Sequence, residues 1–301
     1  MDIVISGASG LIGAALTTAL PAAGHRPIAL VRRPPEGDEI RWDPDRGEID
    51  AASLEGIGGV VHLAGAGIGD HRWTDEYKLE ILRSRTTGTV LISGTLATLS
   101  RPPSVLVSGS AVGYYGDRGD EPVDEASPAG DGFLSEVCVA WEAGTLAVEE
   151  AGIRVAHIRS GVVLSAEGGA LKKQLPLFKA GAGGKMGSGR QWQSWISIDD
   201  EVAAIIHLLD GDTAGPVNLT APNPVTNAEF TKTLAHVLGR PSFLPVPSFA
   251  PKLLLGAELA ETLLFTGQRV LPGVLSRSGF QFQHPTLEVA LRSVLGKPAA
   301  A

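Results

Sequence analysis

The chain has 301 residues, 44% of them hydrophobic, and a formal net charge of -8. That length suits one large α/β unit or a nucleotide domain with a smaller partner, and the acidic balance excludes a general nucleic-acid surface, which would be basic. The single cysteine, Cys138, excludes an intramolecular disulfide, and no uninterrupted apolar run reaches the length of a membrane span.

Met1-Asp2 runs straight into an apolar stretch, Ile3-Val4-Ile5, with no signal-like segment before it, so a cytoplasmic protein is expected. The stretch ends in Gly7, Gly10 and Gly13, spaced G-x-x-G-x-x-G, and an alanine-rich segment follows from Leu11 to Ala23. This reads as strand, tight turn, helix. Gly7 allows the turn, Gly10 the close approach of backbone to a diphosphate, and Gly13 close helix–strand packing. The first helical amides, at Leu11 and Ile12, then face negative charge.

A second short strand, Ile28–Val31, runs into Arg32 and Arg33. In a dinucleotide-binding fold this strand end lies beside the adenosine ribose. An acid there accepts from the 2′-hydroxyl of NAD, whereas arginine suits the 2′-phosphate of NADP. No acid stands there, so NADP is expected over NAD. Residues 34–56 read as a loop or short hairpin, and Gly59–Gly65 as a strand ending in small residues, Leu63, Ala64 and Gly65, that let a cofactor pass. His62 reads as a core or supporting histidine.

Residues 74–98 read as one long helix behind the cap signal Thr74-Asp75-Glu76. Ser104–Ser110 is the next strand, and Tyr114 and Tyr115 lie in the loop leaving it. A helix over 133–151 and a strand over 154–159, ending in Ser160, Gly161 and Val162, complete an alternation of strands and helices. That is the pattern of a parallel, doubly wound sheet.

The composition then changes. Residues 166–195 hold five glycines from Gly181 to Gly189, with Lys185, Arg190, Trp192 and Trp195, and read as a substrate-side loop for an anionic small molecule. Trp195–Glu201 is a short strand and helix cap, and the helix runs to about Leu209. A second, smaller and mainly helical domain is expected over 221–301, beside a nucleotide domain over 1–220. The apolar run over 251–267 is interrupted by Glu258 and Glu261 and reads as an amphipathic helix. The seven histidines show no paired spacing, so no metal site is expected.

Several segments carry a resemblance. They are Ser6–Gly13, Arg32-Arg33-Pro34, His62–Gly65, Arg72-Trp73-Thr74, Ser110–Gly116, Phe133–Cys138, Gly187–Trp192, Trp195–Asp200 and Gly267–Pro272. The chain resembles extended short-chain dehydrogenase/reductases, in particular the atypical, NAD(P)-binding, epimerase-like subfamily grouped with sugar-nucleotide epimerases. The resemblance spans nearly the whole chain. It implies a Rossmann-type α/β fold, a nicotinamide cofactor, and a small-molecule substrate such as a nucleotide sugar, clamped by the C-terminal part. Candidate cofactor contacts are Gly7, Ser9, Gly10, Leu11 and Ile12, with Arg32 and Arg33. Leu63, Ala64 and Gly65 join them, and Ser108, Ser160, Gly161 and Val162 complete the set. Arg190 and Trp192 are the substrate-side candidates.

The resemblance fails at one point. The superfamily's Tyr-x-x-x-Lys pair falls near Leu134 and Cys138, and the helix starting at Phe133 contains neither tyrosine nor lysine. The lysine cation that would lower a tyrosine pKa toward neutrality is therefore absent. Ser110 matches the superfamily's active-site serine, and Tyr114 and Tyr115 are the nearest phenols. With no cation beside them, both are expected to keep an ordinary pKa. Cys138 reads as a small core residue. An NADP-dependent oxidoreductase or epimerase is expected, with an NADP-binding protein of little or no catalysis as the alternative.

Overall fold

The computed structural model describes residues 1–242 and 246–299. Residues 243–245, 300 and 301, part of the smaller domain expected over 221–301, lie outside the described residues. β1 (Asp2–Ser6) leads through the glycine turn into α1 (Leu11–Ala19), and β2 (Arg26–Val31) into a hairpin of β3 (Ile40–Asp43) and β4 (Glu48–Ile49). Then come β5 (Gly59–His62), α2 (Asp75–Ala97), β6 (Val105–Ala111), β7 (Pro122–Val123), α3 (Phe133–Ala143) and α4 (Leu146–Glu150). β8 (Arg154–Ser160), β9 (Val162–Leu164), α5 (Gly169–Lys179), β10 (Trp192–Gln193), β11 (Trp195–Ser197) and α6 (Ile198–Asp210) follow. The last elements are β12 (Gly215–Leu219), β13 (Val225–Thr226), α7 (Asn227–Leu238), α8 (Phe249–Leu255), α9 (Ala257–Ala260), β14 (Arg269–Val270), α10 (Gly273–Arg277) and α11 (Leu287–Val294).

Eight strands form one sheet in the order β12-β8-β6-β5-β1-β2-β3-β4, parallel except for the β3–β4 pair at one edge. Alternation along each strand fills both faces. Ile3 and Ile5 point to one side, where Leu16 of α1 and Ile205 and Leu208 of α6 cover them. Val4 points to the other, toward Ile92 and Leu96 of α2 and Val148 of α4. Chain order reverses at β1, with β2 on one side and β5 on the other, and a ligand cleft opens at such a switch point.

The helix expected over 74–98 forms without a break, its Thr74 hydroxyl accepting from the Tyr77 amide at 3.2 Å. The helix expected over 133–151 divides between Ala143 and Leu146. There Gly144 packs so close to α2 that a Cβ would sit 3.1 Å from Thr89. The stretch 166–195 is not one loop: α5 occupies its first part and buries Leu171, Leu175 and Phe178. These stand at helical spacing, a signal that the glycine and lysine count of the neighbourhood obscured. Strand β12, which adds an edge to the sheet, carries Gly215-Pro216 at its start and was not anticipated.

The C-terminal elements pack back on the rest. Phe230 and Leu234 of α7 and Leu291 of α11 share a core with Trp195 and with Leu171 and Leu175 of α5. Leu275 and Phe280 enter the core of the main sheet, and β14 pairs in parallel with β7. No helix among the described residues is long and apolar enough to cross a membrane.

Candidate functional site

The C-terminal ends of the central strands meet in register, which sets Ser6 beside His62, His62 beside Ser108, and Ser110 beside Arg159. Above them lie two cavities that share Gly7, Gly10 and Leu63 as lining. One, of about 950 Å³, runs past Ser9 to Arg32 and Arg33 on one side and past Ala64 and Gly65 on the other. The second, of about 370 Å³, is bounded by Leu11, Ile12, Ser110, Trp141, Ser160 and Val162.

The glycines make this shape. Gly7 has φ +73°, in the left-handed region, and a Cβ there would lie 2.9 Å from the backbone of Leu63 and Ala64. At Gly13 a Cβ would lie 2.2 Å from the Gly7 carbonyl oxygen, so helix and turn touch backbone to backbone. Ser6 fixes the opposite wall: its Oγ accepts from the amides of Leu63 at 3.1 Å and Ala64 at 3.3 Å. His62 supports Ser6, with Nδ1 2.5 Å from the Oγ. Complete burial pushes its pKa down to about 4, so it stays neutral.

The two arginines after β2 differ. Arg33 donates to Glu39 at 2.6 Å, whereas Arg32 makes no hydrogen bond or ion pair among the described residues. Arg32 is therefore the freer to receive an anion. Ser108 is fully buried without a hydrogen-bond partner and sits beneath the cleft rather than in it, two residues before Ser110 on the same face. Gly161 does not line either cavity, and a Cβ there would meet the Ser194 carbonyl oxygen at 2.5 Å.

At the floor of the smaller cavity the Ser110 hydroxyl donates to Glu142 Oε1 at 2.7 Å. Arg159 grips the same carboxylate in two places, Nε to Oε1 and Nη2 to Oε2, both at 2.8 Å. Burial opposes the charge on Arg159, but the Glu142 bonds more than offset it and hold the guanidinium firmly protonated. Arg159 also donates to the Tyr115 hydroxyl at 3.0 Å and lies 3.4 Å from the centre of the Tyr114 ring.

This corrects the expectation for the tyrosines. A cation does stand beside both. Tyr115 is nevertheless fully buried, donates to Asn218 Oδ1 at 2.7 Å, and has its pKa pushed up by burial to about 12 in spite of Arg159 and Asn218. It is a structural phenol held away from the cavity, and Tyr114 does not line the cavity either. Only Ser110 of the three catalytic candidates faces it. Cys138 is buried as expected, its thiol pushed up to about 11 chiefly by burial. The position facing it is filled from another helix. Arg85 of α2, only 7% exposed and paired with no carboxylate among the described residues, lies 5.1 Å from the Trp141 ring centre.

Arg190 and Trp192 meet at Asp120. The indole Nε1 donates to Asp120 Oδ1 at 2.8 Å, and the Arg190 guanidinium stands 4.0 Å from Oδ2. The Arg190 side chain is 84% exposed, and neither residue lines the two cavities.

Glu142, Arg159 and Arg85 were not singled out from the sequence. A signal for two of them exists. Glu142 stands one helical turn after Cys138, and Arg159 is a charge near the end of a strand that also holds Val155, Ala156 and Ile158, where a buried arginine demands an acid.

Fold and cleft together define a dinucleotide-binding, doubly wound α/β protein. The family model for the NAD dependent epimerase/dehydratase family matches residues 3–220, and one for a domain of unknown function matches residues 246–294. The chain belongs to the NAD-dependent epimerase/dehydratase family. An epimerase family protein of Mycobacterium bovis is 44% identical over 298 residues, covering 98% of each chain. A crystal structure of a human epimerase family protein, SDR39U1, with NADPH superposes with a TM-score of 0.91 at 35% identity, covering 98% of this chain and 99% of that one. A nucleoside-diphosphate sugar epimerase from Corynebacterium glutamicum gives a TM-score of 0.80 at 37% identity, covering 98% of this chain and 58% of that one.

Proposed function

We propose that this chain is an NADP-dependent oxidoreductase or epimerase acting on a nucleotide sugar or a similar small molecule in the cytoplasm, with Ser110 and Glu142 in place of the Tyr-x-x-x-Lys pair. The observation that carries this reading is the Ser110–Glu142–Arg159 chain at the floor of the smaller cavity. The glycine cradle fits a cofactor diphosphate, since a Cβ at Gly7 or Gly13 would collide with backbone. Arg32, with Arg33 beside it, suits a 2′-phosphate. The NADPH in the human relative agrees with that choice. When bound, the nicotinamide supplies the acceptor and donor of hydride.

The chain's own work is to hold the ligand and manage one proton. Because Ser110 donates to Glu142, the lone pairs of its oxygen are free to accept from a substrate hydroxyl. The substrate proton then passes to Ser110 Oγ as the serine proton passes to Glu142 Oε1. Two O–H bonds break, one at the substrate and one at Ser110, and two form, one at Ser110 and one at Glu142, so the charge-paired carboxylate ends neutral and the substrate oxygen is left without its proton. The return step reverses the order. Arg159 holds the carboxylate in line and has no freedom to leave it.

A second reading, an NADP-binding protein with little or no catalysis, draws on one observation: both phenols near the cleft are held away from it. Isomer exchange separates the two. NADP-loaded protein incubated with a panel of nucleotide sugars is expected to interconvert at least one. Tight NADPH binding with no exchange anywhere favours the second reading.

The cofactor choice has its own test. The protein is expected to bind NADPH at least about tenfold more tightly than NADH, as a charge-assisted pair is worth about 1.5–3 kcal/mol. Arg32→Ala with Arg33→Ala is expected to erase the difference in a fluorescence titration. Equal affinities in the parent protein would remove the 2′-phosphate assignment.

A further inference from the structure

Glu201 stands in the first turn of α6 and is fully buried. One of its carboxyl oxygens, Oε1, is 2.5 Å from Ser160 Oγ, and the other, Oε2, has no hydrogen-bond partner. Ser160 in turn lines the smaller cavity, together with Ser110, Trp141 and Gly10.

No lysine, arginine or histidine nitrogen pairs with Glu201 among the described residues. The elements with the most extensive packing against α6, namely α1, β6, β9 and β11, contain no titratable side chain, and the charged groups at its far end are Arg154 of β8, which donates to the Leu208 and Leu209 carbonyls, and His25, which pairs with Asp210. On α6 itself, Asp199 is half exposed, and Asp200 accepts from the amides of Gln283 and His284. His284 faces Ser197 and these two aspartates, and His207 bonds Ser278. On β8, Arg159 is committed to Glu142, and His157 bonds Thr145.

An ionised carboxylate in such a place has one hydroxyl for company and no cation, which is costly. Burial accordingly pushes the Glu201 pKa up to about 8, against the pull of the Ser160 bond. The heavy atoms fix the contact, and the proton count fixes its direction. A neutral acid has one hydrogen to give and Ser160 is the partner in reach, so the acid donates and the serine accepts. The serine's own hydrogen is then left for the open side, which is the cavity.

We propose that Glu201 is a positioning residue: as a neutral acid it donates to Ser160, so that the Ser160 hydroxyl donates into the cavity to a carbonyl oxygen on the nicotinamide half of the cofactor. This rests on the NADP reading of the cleft and adds a proton dependence to it. When Glu201 ionises, Ser160 turns to donate to the new carboxylate, and the ligand loses a hydrogen bond.

The experiment compares NADPH with adenosine 2′,5′-bisphosphate, which lacks the nicotinamide half, by titration calorimetry between pH 6.5 and 9.5. Both carry the 2′-phosphate, so the ratio of their affinities isolates the nicotinamide end. In the unaltered protein the ratio is expected to fall about tenfold as pH rises through 8, the loss of about one hydrogen bond. Glu201→Gln, whose amide donates to Ser160 at every pH, is expected to keep the low-pH ratio throughout. Ser160→Ala is expected to show the reduced ratio at every pH.

A flat ratio in the unaltered protein, a pH-dependent fall that survives in Glu201→Gln, or full NADPH affinity in Ser160→Ala would each overturn the proposal while leaving the cofactor assignment standing. Failure to bind NADPH at any pH would overturn both. If Glu201→Gln does not fold, the pH series and Ser160→Ala decide alone.

Discussion

Replacing Glu142 by alanine is expected to destabilise the protein by about 3–5 kcal/mol, the cost of leaving a buried charge without its partner. Arg159 is 3% exposed, and Glu142 takes both of its ion-pairing hydrogen bonds. With the carboxylate gone, the guanidinium keeps only Tyr115 as a hydrogen-bond acceptor among the described residues. The melting temperature should drop on the order of 10 °C for a chain of this size. Glu142→Gln should lose less stability, since its amide oxygen still accepts. Joint replacement, Glu142→Leu with Arg159→Met, should recover much of the loss, because a buried ion pair exchanged for packed apolar side chains is often near neutral. A melting temperature unchanged in Glu142→Ala would show that Arg159 is not held as described.

Gly13→Ala is expected to abolish measurable NADPH binding, a loss of at least about a hundredfold, through geometry rather than chemistry. The new Cβ would lie 2.2 Å from the Gly7 oxygen and 2.8 Å from Ala8 Cα, and both are backbone atoms that cannot rotate aside. Either α1 moves off β1 or the turn opens, and each displaces the amides that face the cavity. A matched control is Gly94→Ala in the middle of α2, where a Cβ meets nothing within 4 Å. There the same substitution should stabilise by up to about 1 kcal/mol, through helix propensity and the unfolded chain. Titration and thermal melts on the two variants check the contrast, and NADPH bound normally by Gly13→Ala would contradict the cradle.

The sheet was legible because its strands carry the period-two and continuous apolar patterns of a parallel core, punctuated by helices with caps. Thr74 before α2 and the glycines after β1 are local signals, and local signals survive reading in one dimension. What escaped the sequence depends on register. Ser110 reads as a strand-end hydroxyl, but its acceptor comes from a helix 32 residues later and the cation beyond that from β8. Tyr115 stood among the catalytic candidates, with an ordinary pKa expected, because nothing local says that Asn218, on an unanticipated edge strand, will take its hydroxyl. The segment containing α5 misled for a different reason. Its composition resembled a loop while its leucine spacing already described a helix.

The resemblance named a candidate cofactor site and marked what was missing from the superfamily's pattern. The missing lysine is not simply a gap: Arg159 and Arg85 bring positive charge to the cleft floor from a strand and from another helix. One is committed to Glu142, and the other leans on an indole. On the proposed reading, cofactor binding and proton handling fall to separate parts of the chain, the glycine turn and the Ser110–Glu142–Arg159 chain.

The most direct measurement of that division is the rate of isomer exchange on a nucleotide sugar that the protein turns over, in Ser110→Ala beside the unaltered protein. NADPH affinity is followed on the same samples. The exchange rate should fall at least about a hundredfold, the usual reach of a lost acid–base group, with NADPH affinity unchanged. Exchange at an undiminished rate in Ser110→Ala, with the cofactor still bound, would contradict the account.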